Sequence, residues 1–153
     1  MIMAKEIERK FLVKDDSYIN LSYQSIEISQ GYISTDPDRV VRIRTYSNKG
    51  FMTVKTRNIG ITRKEWDFEI PYEDAKELLD EVAVHKLEKT RYYFSGPDGY
   101  LWEIDRFGGS HEGLVIAEVE LPDEEATFEM PSFVGEEVTG DPQYYNSNLA
   151  TQA

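Results

Sequence analysis

The chain contains no cysteine, which excludes a disulfide framework and a thiolate metal site and makes a reducing, cytoplasmic compartment the expected setting. Histidine is almost as scarce. His85 and His111 are the only two, no zinc-ligand spacing includes them, and surface or capping roles suit both. No stretch approaches the ~20 apolar residues of a membrane span, and residues 5–10 are too charged for the apolar core of a signal peptide. Positive charge is in short supply as well: 17 Lys and Arg against 29 Asp and Glu leave a net charge of −12. That balance argues against nucleic-acid or membrane-surface partners, yet a local basic patch for a small anion can coexist with an acidic exterior. There is no G-x-x-x-x-G-K-[ST] loop, no dinucleotide fingerprint and no nucleophile-elbow motif, so any phosphate must be held by side chains.

What the chain does have is strands. Its 153 residues are enough for a substantial core and read as one domain, 1–153. Strands are expected over 4–13, 25–34, 39–46, 51–57, 62–70, 87–95, 100–107 and 114–121. Ser47-Asn48-Lys49-Gly50 reads as a hairpin turn with Gly50 at the positive φ, and Gly96-Pro97-Asp98-Gly99 as a second. Over 72–85 the period changes, with Ala75, Leu78, Leu79 and Val82 on one face of an amphipathic helix. The tail from 122 is mixed, with a short helix expected over 142–151. Eight strands joined mostly by short turns favour a mainly β, antiparallel barrel or sandwich over a parallel sheet.

Side chains alternate across a strand, and here the charges on alternating positions are sorted by sign. Acidic sets are Glu6 and Glu8 (with Lys10), Glu65, Asp67 and Glu69, Glu103 and Asp105, and Glu118 and Glu120. Basic pairs are Arg42 and Arg44, Lys55 and Arg57, and Lys89 and Arg91. The opposite faces are apolar, as at Val41 and Ile43, Trp66 and Phe68, and Trp102 and Ile104. In a simple half-buried sheet the charged faces would point to water, and for any single pair that is the simpler reading. Taken together they fit it poorly, because like charges side by side repel and soluble surfaces intersperse signs. Segregation makes sense if an anion meets the basic pairs and metal ions meet the carboxylates. The apolar faces would then point outward and need cover from the helix, the tail or a second copy, which makes a homodimer an expectation.

The motif Glu6-x-Glu8-x-Lys10, followed in order by Gln30-Gly31-Tyr32, Arg42-x-Arg44, Thr53-x-Lys55, Lys89-x-Arg91, Glu103-x-Asp105 and Glu118-x-Glu120, resembles the CYTH superfamily of triphosphate tunnel metalloenzymes. The ending Gly135-Glu136-Glu137-Val138-Thr139, then Tyr144, Asn146, Asn148, Leu149 and Ala150, is similar to that of short bacterial members. The resemblance spans nearly the whole chain. It implies an eight-stranded antiparallel β-barrel forming a tunnel or open cup, with a charged lumen and one or more packing helices. It also implies metal-dependent cleavage of a triphosphate with Mg²⁺ or Mn²⁺, with inorganic triphosphate as the leading substrate. The alternatives are a nucleotide-directed or thiamine triphosphatase, an adenylate cyclase, or a non-catalytic polyphosphate- or nucleotide-binding module.

On that resemblance Lys10, Arg42, Arg44, Lys55, Lys89 and Arg91 hold the triphosphate, the arginines with bidentate geometry. Glu6, Glu8, Glu118 and Glu120 are the metal ligands, hard oxygen donors suited to Mg²⁺ or Mn²⁺. Glu65, Asp67, Glu103 and Asp105 are further ligands or support them from behind. Lys10 and Tyr32 form a catalytic pair near the attacking water or terminal phosphate. A lysine surrounded by other cations would have a lowered pKa and could act as a base. On the fifth strand Asp67 stands where a glutamate is expected, and Glu69 is a candidate to compensate. A helix plugging the tunnel is not evident in the tail, so cup and tunnel both remain open readings.

Overall fold

The computed structural model describes residues 3–152. Nine strands run in chain order: β1 (Met3–Val13), β2 (Gln24–Ser34), β3 (Val40–Tyr46), β4 (Lys49–Lys55), β5 (Thr62–Ile70), β6 (His85–Ser95), β7 (Leu101–Phe107), β8 (Val115–Glu120) and β9 (Val134–Glu137). Three helices accompany them: α1 (Tyr18–Leu21), α2 (Tyr72–Glu81) and α3 (Asn146–Thr151). The pairing order is β5-β4-β3-β2-β6-β7-β8-β1-β9, and β5 also pairs with β1, so the first eight strands close into an antiparallel barrel. Closure leaves no free edge among them. The ninth strand, β9, pairs with β1 and was not among the strands expected from the sequence.

The charged faces point inward, and much of the apolar outer surface is covered within the chain, while Val41, Val54, Trp66 and Phe68 on β3–β5 stay half-buried outside the core clusters. Ile43 on β3 packs against Ala75 and Leu79 of α2. Tyr18 of α1 and Phe133 pack over Trp102, Ile104, Ala117 and Val119 on the far side. The chain's own helices and tail thus supply part of the cover that the outward apolar faces need. Close approach of α2 depends on two glycines. A Cβ on Gly50 would lie 2.5 Å from the Ala75 Cβ, and one on Gly31 would lie 2.9 Å from the Ala83 Cβ. Gly50 thus sits inside β4 rather than in the turn. The positive φ values of that hairpin belong to Ser47 (51°) and Asn48 (60°), a two-residue turn whose backbone twist matches that of the strands.

The lumen is charged in its middle and apolar at one end. Leu12, Tyr32, Val40, Leu87, Phe107 and Ile116 each stand two positions along the strand from a lumen-facing residue, and they form one cluster. Leu149 and Ala150 of α3 complete that cluster. The helix expected over 142–151 exists as a 3₁₀ turn, Pro142–Tyr144, followed by α3, and it seals this end of the barrel. The result is a cup with an apolar floor.

Candidate functional site

The cup encloses a cavity of about 190 Å³. Of the residues picked out from sequence, Glu6, Glu8, Lys10, Tyr32, Arg42, Arg44, Lys55, Glu65, Lys89, Arg91, Glu103, Glu118 and Glu120 line it. Asp67 and Asp105 do not. Asp105 is buried on the inner face of β7 between Glu103 and the floor, bonded to Arg91 Nε at 2.7 Å and Lys89 Nζ at 2.7 Å. Asp67 accepts from the Thr53 hydroxyl at 2.6 Å, and that hydroxyl in turn accepts from Arg42 Nη2 at 3.1 Å. Both therefore brace cations or their neighbours. Arg57, alternating with Lys55 in the sequence, lies beyond the end of β4 and pairs with exposed Asp38 at 2.6 Å.

Arg42 and Arg44 are cations without counter-ions. Among the described residues, neither has a carboxylate oxygen within 4.0 Å, and the Nε of each is buried with no hydrogen-bond partner. Burial, then the positive charges of Arg42 and Arg91 alongside, pulls Arg44 down to about 10. Such crowding costs energy unless an anion relieves it. The other cations are committed: Lys55 to Glu6 at 2.9 Å, Lys10 to Glu118 at 3.5 Å, and Arg91 to Asp105 and Glu103.

Lys10 departs from the expectation for a base. Burial works to lower its pKa, but Glu118 and Glu8 outweigh burial and hold the ammonium above its ordinary range. Its neighbours are acids, because β1 pairs with β8 and places Lys10 opposite Glu118. The lysine that is pulled down is Lys89, to about 7, by burial acting against Asp105. Tyr32 is buried beside this group, and its hydroxyl accepts from Gln30 Nε2 at 2.9 Å. Burial raises its pKa despite Arg42, Arg44 and Lys10 nearby.

The carboxylates show the opposite imbalance. The register sets Glu8 opposite Glu120 and Glu103 opposite Glu118, two acid-against-acid pairs in adjacent strands. Burial, then Glu118 and Glu6, pushes Glu8 well above the usual carboxylate range. Burial, then Glu6, Glu103 and Glu118, raises Glu120 as well. Glu65 is pushed up to about 7 by burial, with Glu6 adding to it against the pull of Lys55. Glu6 differs: burial would raise it, but Lys55 and Arg63 hold it well below the usual range. Glu118 is also held down: burial works to raise it, but Lys10, Arg91 and a hydrogen bond with Glu8 together outweigh burial. The four acids expected to act together thus divide into an ion-paired couple, Glu6 and Glu118, and an unneutralised couple, Glu8 and Glu120. Among the described residues, no three acidic or histidine groups converge closely enough to enclose an ion by themselves. Glu69 is exposed on β5 and takes no part.

Several lining residues escaped the sequence reading. Arg63 bonds Glu6 at 3.3 Å and shares the inner face of β5 with Glu65. Alternation from Glu65 would have found it, but its sign breaks the acidic run. Tyr145, Asn146 and Ser147 reach the cavity from the tail. The Tyr144 carbonyl accepts from Lys10 Nζ at 3.2 Å, and the Tyr145 ring centre is 5.5 Å from the same nitrogen. Asn146 Oδ1 accepts from Lys89 Nζ at 2.7 Å. No strand periodicity pointed to these residues.

Comparison with known proteins agrees with this geometry. The CYTH domain family profile matches residues 4–150. An inorganic triphosphatase of Acetivibrio thermocellus is 49% identical over 148 residues, covering 96% of this chain and 94% of that protein. An inorganic triphosphatase of Nitrosomonas europaea is 37% identical over 148 residues, covering 95% of this chain and 96% of that one. A crystal structure of an inorganic triphosphatase superposes with a TM-score of 0.67 at 36% identity, covering 95% of this chain and 97% of the other.

Proposed function

The chain belongs to the CYTH domain family, and on that premise we propose that it hydrolyses inorganic triphosphate, with a divalent cation, to pyrophosphate and phosphate. The observation that carries this reading is the pair of buried, uncompensated guanidiniums at Arg42 and Arg44. Seven cationic and six acidic side chains line the cavity of a chain with net charge −12, so positive charge is concentrated where the exterior has little. A compact polyanion is the ligand that such a site stabilises.

The carboxylates suit a divalent ion. They are hard oxygen donors, and Glu8 and Glu120 face each other with no cation of their own. Mg²⁺ is usually held by one or two carboxylates, with substrate phosphates and water completing its shell, a donor set that Glu8 and Glu120 fit, so Mg²⁺ or Mn²⁺ is the ion proposed here. Glu8 and Glu120 would hold the ion, and Glu6, Glu65 and Glu118 would flank it. When bound, the ion neutralises phosphoryl charge and orients the attacking water.

Arg42 and Arg44 grip phosphoryl oxygens from the β3 wall, and Lys89 and Arg91 from the β6 wall. Lys55 and Arg63 hold Glu6 ionised. Lys10, kept protonated by Glu118, places a fixed positive charge beside Tyr32 at the closed end, where the terminal phosphoryl group is positioned for attack by water. Water adds to the terminal phosphorus, the anhydride P–O bond breaks and pyrophosphate leaves. Asp105 and Asp67 act by bracing Lys89, Arg91 and Thr53.

A nucleotide would need a site for its base. The aromatic rings on the cavity wall, among the described residues, are Tyr32 and Tyr145, and both are engaged by Gln30, Asn58 and Lys10. The test is a panel of triphosphate, pyrophosphate, ATP and thiamine triphosphate with Mg²⁺ or Mn²⁺, assayed for phosphate, pyrophosphate and cyclic AMP. Phosphate release from triphosphate is expected to dominate. Cyclic AMP from ATP, or binding of triphosphate without turnover, would overturn the reading.

A further inference from the structure

We infer that Asn146 is a positioning residue: its side-chain oxygen takes a second donor of the Lys89 ammonium, already paired with Asp105, and so fixes the lysine with its third donor toward the bound triphosphate. The inference rests on the proposed role of Lys89 as a phosphoryl-binding cation.

A lysine ammonium has three N–H donors on a long, flexible stem. Lys89 directs one to Asp105 Oδ2 at 2.7 Å and another to Asn146 Oδ1 at 2.7 Å, which leaves the third for the cavity that Lys89 lines. With Asp105 alone, the ammonium would be free to turn fully onto the carboxylate, a strong buried pair that competes with substrate. Asn146 balances that pull with a neutral acceptor, adding no negative charge where an anion must bind.

The amide is itself held in place. Gln30 Nε2 lies 3.3 Å from the same Asn146 oxygen, and Gln30 is 1% exposed with its amide nitrogen also on the Tyr32 hydroxyl at 2.9 Å. Two donors converge on one oxygen, so the amide cannot flip without setting its own NH₂ against an ammonium and another NH₂. The helix carrying Asn146 is fixed independently. Leu149 and Ala150 pack into the apolar floor, and His111 Nε2 hydrogen-bonds the Leu149 carbonyl at 2.7 Å. Asn146 therefore reaches the site from a support that does not depend on the lysine.

A purely structural role would make Asn146 a fastening for the tail, and a double-mutant cycle separates the two. Triphosphate turnover is measured for wild type, Asn146→Ala, Lys89→Ala and the double variant, with melting temperatures recorded for all four. Acting through Lys89, Asn146→Ala is expected to raise KM about tenfold with kcat changed less than about threefold, and to add nothing to KM once Lys89→Ala is present. Asn146→Ser, which keeps an acceptor at shorter reach, is expected to fall between wild type and Asn146→Ala. Wild-type KM in Asn146→Ala, or an effect that multiplies fully with Lys89→Ala, would overturn the inference alone. Wild-type KM in Lys89→Ala would overturn the proposed role of Lys89 and this inference with it.

Discussion

Glu8 on β1 stands directly opposite Glu120 on β8, an acid facing an acid, while two residues further along β1 Lys10 faces Glu118. Like charges placed opposite each other destabilise a sheet, so the barrel tolerates at this point a strain that a bound cation would relieve.

The first prediction concerns that strain. Glu8 and Glu65 have folded pKa values above their unfolded ones, Glu65 at about 7. The folded state therefore holds extra protons, and their stabilising contribution is complete below the ordinary carboxylate pKa of 4.5 and lost as pH rises through about 7. The lowered groups Glu6, Glu118 and Asp105 act oppositely, gaining stability as pH rises, but they have done so before about pH 5, and Lys89, lowered to about 7, offsets only part of the loss above that pH. The metal-free protein is expected to melt lower at about pH 8 than at about pH 5, with Mg²⁺ restoring part of the loss. Glu8→Gln is expected to melt no lower than wild type without metal, yet to lose metal-dependent turnover. A variant that melts lower and stays active would contradict the placement of the ion.

Arg42 and Arg44 supply the second. Triphosphate at ~100 times its Kd should stabilise the metal-free protein by about 2.7 kcal/mol, which for a chain of this size is a rise of about 5–10 °C. The double variant Arg42→Ala, Arg44→Ala should lose most of that rise while folding at least as well in its absence. Differential scanning calorimetry with and without triphosphate reads both.

Lys10→Ala separates binding from chemistry. Turnover should fall by at least about a hundredfold, while triphosphate affinity measured by calorimetry without metal stays within about tenfold of wild type. Undiminished turnover would remove Lys10 from the mechanism.

Gly50 tests the fold rather than the site. Gly50→Ala pushes a methyl to 2.5 Å from Ala75 and should destabilise the protein by about 1–3 kcal/mol. Ala75→Gly in the same chain should recover most of that loss in a urea titration, with kcat unaffected throughout.

The barrel was legible because period-2 alternation placed Arg42 and Arg44, Lys89 and Arg91, and Glu118 and Glu120 each on a single face, and sorting by sign set those faces against a plain solvated sheet. Periodicity does not say which face is inside; the resemblance did, and closure of β5 onto β1 agrees. Ion pairing was not legible. Which acids keep free charge depends on cross-strand register, which set Glu6 against Arg63 and left Glu8 against Glu120. The floor could have been read from the same alternation, since Leu12 follows Lys10 and Val40 precedes Arg42 by two positions, but a lumen assumed charged throughout hides it. The contact of Asn146 with Lys89 was beyond reach, because it comes from where the tail closes the floor of the barrel rather than from any repeating pattern. The hairpin lies where Ser47-Asn48-Lys49-Gly50 puts it, but the positive φ falls on Ser47 and Asn48 rather than Gly50, where glycine serves packing.

Phosphorus NMR of triphosphate incubated with the purified protein and Mg²⁺ or Mn²⁺ tests the proposed reaction most directly. Phosphate and pyrophosphate should appear in equal amounts, with the pyrophosphate persisting after the triphosphate is gone. Triphosphate that stays intact under conditions where calorimetry shows it bound would contradict hydrolysis in the cup.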